Sequence, residues 1–135
     1  MAGTQQTIPR FIIIDDDPIN NLICRKNINN IFSLAEIQTF TDPQAGLNYI
    51  SSEYDPLGTH KTILFLDINM PVLSGWDVLN ILVRLSDNIL EHFRIYMLSS
   101  SIATPDKQRA DDCHIVEGFL TKPLTRQELE KVCAA

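Results

Sequence analysis

The sequence predicts an α/β domain built on a five-stranded parallel sheet with helices on both faces. Short apolar runs recur five times, and each is followed by a stretch with helical spacing or helix-start signals. Thr62-Ile63-Leu64-Phe65-Leu66 is almost wholly apolar, as a strand buried on both faces of a parallel sheet should be. Four of the five runs end in polar residues, and a parallel sheet brings all its strand carboxyl ends to one rim, where ligands collect in open α/β folds.

Taken in order, Phe11 to Ile14 is the first strand, with three β-branched residues running into Asp15-Asp16-Asp17-Pro18. Asp17 suits a helix N-cap and Pro18 the first helical turn, which leaves Asp15 and Asp16 without a capping task. In the first helix, Ile19, Leu22, Ile23, Ile28, Ile31 and Phe32 fall close to helical spacing and are the expected buried face, with Cys24 near it. Leu34 to Phe40 alternates loosely, as an edge strand would. Asp42-Pro43 repeats the cap-plus-proline signal and opens a second helix with Ala45, Leu47, Tyr49 and Ile50 for burial. Residues 51 to 61 are a loop.

The third strand ends at Asp67. Ser74 or Gly75 starts a third helix, with Trp76, Val78, Leu79, Ile81, Leu82 and Leu85 as its apolar face. Arg94 to Leu98 is the fourth strand, followed by Ser99-Ser100-Ser101. Thr104-Pro105-Asp106 opens a polar fourth helix that buries little and should be among the less stable elements. Glu117 to Leu120 is the fifth strand, followed by Thr121-Lys122-Pro123, and Thr125 with Glu128 forms a capping box for the last helix. Right-handed crossovers restrict the topologies open to such a chain.

At 135 residues, 44% hydrophobic, the chain is long enough for one domain with its own core. Its expected extent is residues 1–135, with an ordered core of about 9–134 and residues 1–8 as a flexible tail. A net charge of -6 lacks the basic footprint of nucleic-acid binding. Cys24, Cys113 and Cys133 have no metal or redox spacing and are expected as reduced thiols. No apolar segment approaches the ~20 residues of a membrane span, and Met1 to Pro9 lacks a signal-peptide pattern, so the expected location is cytoplasmic, without membrane contact. His60, His92 and His114 are expected at the surface, Trp76 in or beside the core, and Asp77, Asp87, Asp106, Asp111 and Asp112 in solvent.

The rim collects Asp15, Asp16, Asp67, Ser99 and Lys122. Clustered carboxylates repel by roughly 4 kcal/mol per pair at 4 Å in a dielectric near 20. Either one protonates or a cation sits among them. An all-oxygen set points to a hard ion such as Mg²⁺. Asp67, on a central strand, is the candidate nucleophile for phosphoryl chemistry, with Asp15 and Asp16 as the metal-holding pair and Lys122 as a second positive charge.

These residues, in Ile14-Asp15-Asp16-Asp17-Pro18, Leu66-Asp67-Ile68-Asn69-Met70-Pro71 with Gly75, Met97-Leu98-Ser99-Ser100 and Gly118-Phe119-Leu120-Thr121-Lys122-Pro123, resemble the receiver domains of two-component response regulators over nearly the whole chain, in the manner of a single-domain chemotaxis regulator. The resemblance implies a flavodoxin-like doubly wound fold of strand order 2-1-3-4-5. It implies that Asp67 accepts a phosphoryl group from a histidine kinase or phosphotransfer protein in a Mg²⁺-dependent reaction. Asp16 would then bind Mg²⁺ directly, Asp15 mainly through water, and Asn69 through its backbone carbonyl. Ser99 and Lys122 would contact the phosphoryl group, and Pro123 would follow a cis bond that aims Lys122 into the site. Ser99 and Phe119 would form the switch, acting on the surface of the fourth helix, fifth strand and fifth helix to signal an unidentified partner.

Ser99 stands where the family more commonly has Thr, and Phe119 lacks the hydroxyl of Tyr. Asn69 and Ser101 match positions that tune loss of the phosphoryl group. Such a domain is a slowly self-dephosphorylating switch rather than a turnover enzyme, either a monomer or a phosphorylation-dependent dimer. The alternative is a phosphatase of the haloacid dehalogenase type: Asp15 and Asp17 have its spacing, but Pro18-Ile19 does not continue its motif and the chain is short for its cap. A flavin module on the same fold needs a phosphate loop where this chain has three aspartates, whose charge would repel the phosphate. A receiver fold serving only as scaffold is at odds with the complete acceptor set.

Overall fold

Five strands form one sheet in the computed structural model, which describes residues 9–52, 61–85, 89–101 and 104–134. They are β1 (Arg10–Ile14), β2 (Glu36–Phe40), β3 (Thr62–Asp67), β4 (Phe93–Ser99) and β5 (Val116–Thr121), in the order β2-β1-β3-β4-β5 with every pairing parallel. This is the flavodoxin-like order. The helices are α1 (Pro18–Ile31), α2 (Pro43–Ser52), α3 (Gly75–Leu85), α4 (Ile89–His92), α5 (Thr104–Asp112) and α6 (Arg126–Ala134). The four-residue α4 is an addition to the five predicted helices, too short to show a helical period. The fourth and fifth helices expected from sequence are therefore α5 and α6.

Side chains alternate across a strand, and here both faces are buried. Ile12, Ile14, Leu64, Leu66, Ile95 and Met97 point to one core, closed by Leu47 and Ile50 of α2, Val78, Leu79 and Leu82 of α3, and Ala110 of α5. Phe11, Ile13, Ile63, Phe65, Tyr96 and Leu98 point to the other, closed by Cys24 and Ile28 of α1 and Leu129 and Val132 of α6. All of β3 is buried, which places its last residue, Asp67, at the middle of the rim.

The buried face of α1 matches the expected one at Ile28, Cys24, Ile31 and Phe32 but not in its first turns. Ile19 is 66% exposed, Leu22 64% and Ile23 38%, while Asn21, Cys24 and Ile28 face inward. Asn21 Nδ2 donates to the Asp15 carbonyl at 3.0 Å, a bond that suits a helix turned with the polar side chain inward. Leu85, counted in the apolar face of α3, is half exposed. Asp17 caps α1 as expected, accepting from Ile19 N–H at 2.9 Å. Thr125 and Glu128 close their capping box at α6, where Glu128 N–H donates to Thr125 Oγ1 at 3.1 Å and Thr125 N–H to Glu128 Oε1 at 3.4 Å. Trp76 is buried, and its indole N–H donates to Asp106 at 3.3 Å while the Arg109 guanidinium stacks 4.4 Å from the ring. Asp106 is therefore engaged rather than simply solvated. Asp77, Asp111, Asp112 and His114 are exposed as expected.

The expectations for the residue 1–8 tail, His60, Asp87 and most of the 51–61 loop fall outside the described residues. No helix among the described residues is long and apolar enough to cross a membrane.

Candidate functional site

The carboxyl ends of β1, β3 and β5 deliver Asp15, Asp67 and Lys122 to one point. Carboxylate oxygens of Asp15, Asp16 and Asp67 can all lie within 4.8 Å of one another. Asp15 and Asp67 are each 1% exposed, whereas Asp16 opens to solvent.

Asp15 is held from several sides. Its Oδ1 accepts from Asp17 N–H at 2.9 Å, and its Oδ2 accepts from Asn20 Nδ2 at 3.3 Å and Lys122 Nζ at 3.2 Å. Asp67 is held less well. Its Oδ1 accepts from Asn69 N–H at 3.3 Å, while its buried Oδ2 lies 3.2 Å from Lys122 Nζ without an aligned hydrogen bond. Burial, then the charge of Asp15 and the Asp16 carboxyl, raise the Asp67 pKa to about 7, against the pull of Lys122. Burial lowers the Lys122 pKa, but the neighbouring Asp15 and Asp67 charges outweigh it and leave the ammonium held above its ordinary value.

The chain leaves Asp67 through a tight loop. A Cβ on Gly75 would come within 2.5 Å of the Asp67 carbonyl oxygen, so close approach of α3 to the strand end requires glycine there. Gly75 N–H donates to the Ile68 carbonyl at 3.0 Å. The left-handed turn in this loop falls on Val72, with φ 69°, a costly conformation for a β-branched residue.

Ser99 is fully buried at the end of β4, its Oγ accepting from Ser101 N–H at 3.2 Å. Its carbonyl accepts from Lys122 N–H at 2.8 Å, and Lys122–Pro123 is a cis bond, as expected. Phe119 lies lower on β5, opposite Met97, half-buried against the core on the α2, α3 and α5 side. Thus Asp15, Asp16, Asp67 and Lys122 meet directly, Ser99 adjoins them through the Lys122 backbone, and Phe119 sits behind.

Sequence reasoning missed Asn20 and Asn21, which bond the side chain and backbone of Asp15 respectively. Their only signal was two consecutive asparagines inside a helix, where this residue is a poor former. The phosphatase alternative gains no support: Asp17 is exposed, and its carboxylate is engaged in capping α1. Cys24, Cys113 and Cys133 are free thiols, and burial, followed by the charge of Asp15, pushes Cys24 up to about 12.

The residues present fit a hard divalent cation. The donors are all oxygens, one buried carboxylate oxygen lacks a hydrogen bond, and a cation would favour the Asp67 carboxylate that burial and the Asp15 charge disfavour.

The carboxyl rim of this doubly wound sheet thus carries an acidic triad and a lysine. The chain belongs to the response regulator receiver domain family, whose sequence model matches residues 11–134. A two-component response regulator from Cytophaga hutchinsonii is 26% identical and superposes with a TM-score of 0.81, over 96% of each chain. The chemotaxis protein CheY4 of Vibrio cholerae, 20% identical, superposes with a TM-score of 0.72 over 95% of this chain and 98% of its own. Among curated proteins, the probable methanogenesis regulatory protein FilR2 of Methanothrix harundinacea is 22% identical over 121 residues, 90% of this chain and 76% of that protein. Receiver domains are signalling switches of two-component systems.

Proposed function

We propose that the chain is a phosphorylatable switch in which Asp67 accepts a phosphoryl group from a phosphohistidine on a histidine kinase or phosphotransfer protein. The carrying observation is the buried, under-bonded Asp67 carboxylate set among two further acids and Lys122. An Asp67 oxygen attacks phosphorus in line. The O–P bond forms as the P–N bond breaks, and that electron pair leaves on the imidazole nitrogen. Asp67 attacks as a carboxylate, so no proton is removed from it.

Asp15, Asp16, Asp67 and the Asn69 backbone carbonyl would hold Mg²⁺, which when bound supplies positive charge to the phosphoryl oxygens. Lys122, already 3.2 Å from Asp67, neutralises the charge that spreads over them. The buried Ser99 hydroxyl donates to a phosphoryl oxygen, and Phe119 turns into the space behind it. The surface of α5, β5 and α6 then shifts population and signals a partner protein, with no direct nucleic-acid contact. Water slowly hydrolyses the phosphoaspartate, with Asn69 and Ser101 placed to tune that loss. The chain acts as a single receiver unit, monomeric or dimerising on phosphorylation, and its free thiols support a reducing, cytoplasmic setting.

The test is incubation with acetyl phosphate and Mg²⁺ followed by intact-mass measurement. The wild type gains one phosphoryl group and Asp67→Asn gains none. An unmodified wild type, or equal modification of the variant, would refute the assignment.

A further inference from the structure

We propose that Asn20 is a positioning residue for the acidic pair, its side-chain amide holding the Asp15 carboxylate in place independently of Lys122. The inference rests on the Mg²⁺-binding reading of the site.

Among the described residues, the Asp15 Oδ2 atom has two side-chain donors, Lys122 Nζ at 3.2 Å and Asn20 Nδ2 at 3.3 Å. Lys122 is divided, because its ammonium is equally close to Asp67 Oδ2 at 3.2 Å. Anything that adds negative charge at Asp67 competes for it. The Asp17 N–H is bonded to the other oxygen, Oδ1. Asn20 is thus the side-chain donor that remains on Oδ2 when the lysine turns away. An amide also differs from a lysine in kind: it orients the carboxylate without cancelling the negative charge that a cation needs. Groups that hydrogen-bond a metal-binding carboxylate typically matter about 10–100-fold in metal affinity.

The helix supports the same role independently. Asn20 and Asn21 lie in succession near the start of α1, where Asp17 already supplies the cap. Asparagine is a poor helix former, because its side chain competes for the backbone. Asn21 is explained by its bond to the Asp15 carbonyl. Asn20 is half-buried, and its described bond runs to the Asp15 carboxylate, so the residue costs the helix something and returns it at the site.

That trade separates a positioning role from a structural one. Calorimetric Mg²⁺ titration and metal-free thermal melting of wild type, Asn20→Ala and Arg25→Ala make the comparison. Asn20→Ala is expected to bind Mg²⁺ about tenfold more weakly while melting within about ten degrees of wild type, since alanine's better helix propensity offsets part of the bond lost to Asp15. Arg25→Ala loses a bond from the same helix to Thr39 Oγ1 at 3.3 Å and is expected to keep wild-type affinity. Affinity of Asn20→Ala within about twofold of wild type would overturn the proposal and leave the metal site standing. So would a melting point lowered by more than about ten degrees or failure to fold, which would make Asn20 structural. A wild type that takes up no Mg²⁺ would remove the site and this role together.

Discussion

Asp67 sits where its charge is opposed. It is buried, has Asp15 and Asp16 beside it, and receives from Lys122 an ion pair without a well-aligned hydrogen bond. With no divalent ion, its folded-state pKa of about 7 lies far above the ordinary 3.8. Between those values the folded chain keeps a proton that the unfolded chain has released, so stability falls as pH rises through that window and levels off above it. Asp67→Asn carries no such charge. Urea unfolding in EDTA is expected to show the wild type losing stability from pH 4 to pH 7, and the variant flatter in pH and more stable at pH 8. Matching pH profiles for the two proteins would contradict the electrostatic account. The place of this residue at the rim was legible in sequence only together with the other strand ends, because a lone acid after a buried apolar run reads first as a helix cap. Its poor hydrogen bonding was not, because that depends on where Lys122, delivered by β5, comes to rest between two carboxylates.

At the scale of elements, the strands were legible and the orientation of α1 was not. Strand reading needs only apolar length and β-branching, which Ile12, Ile13 and Ile14 supply. Choosing the inward face of a helix needs the polar residues as well, and apolar spacing alone favoured Ile19 and Leu22 over Asn21. The Asn21 bond to Asp15 instead fits a helix that turns Asn21 inward beside Cys24 and Ile28, both expected there, and leaves Ile19 and Leu22 in solvent. Chemical denaturation distinguishes the two orientations at Leu22, with Ile28, buried in both, as the reference. Leu22→Gln is expected to change stability by no more than about 0.5 kcal/mol, while Ile28→Ala costs about 2–5 kcal/mol. A Leu22→Gln penalty as large as that of Ile28→Ala would restore the face expected from spacing.

Across the whole molecule, the fold brings together residues that lie more than a hundred positions apart, as Asp15 and Lys122 do. Membership of the rim was legible because parallel strands must end on the same side. The sharing of Lys122 between Asp15 and Asp67 was not, since it depends on how far one side chain reaches from β5 towards two carboxylates. The consequence is a folded state that carries concentrated negative charge and is stabilised by whatever neutralises it. Mg²⁺ that binds only the folded chain adds stability as the logarithm of its concentration, about 2.7 kcal/mol at a hundredfold excess over its dissociation constant. Protons compete for the same oxygens, so the gain should be larger at pH 8, where Asp67 is ionised, than at pH 5, where it holds a proton. Thermal unfolding across a Mg²⁺ series at those two pH values is expected to give a rising midpoint at pH 8 and a weak response at pH 5, with Asp16→Asn reducing both. A midpoint insensitive to Mg²⁺ at pH 8 would mean that the acidic triad is neutralised by Lys122 alone.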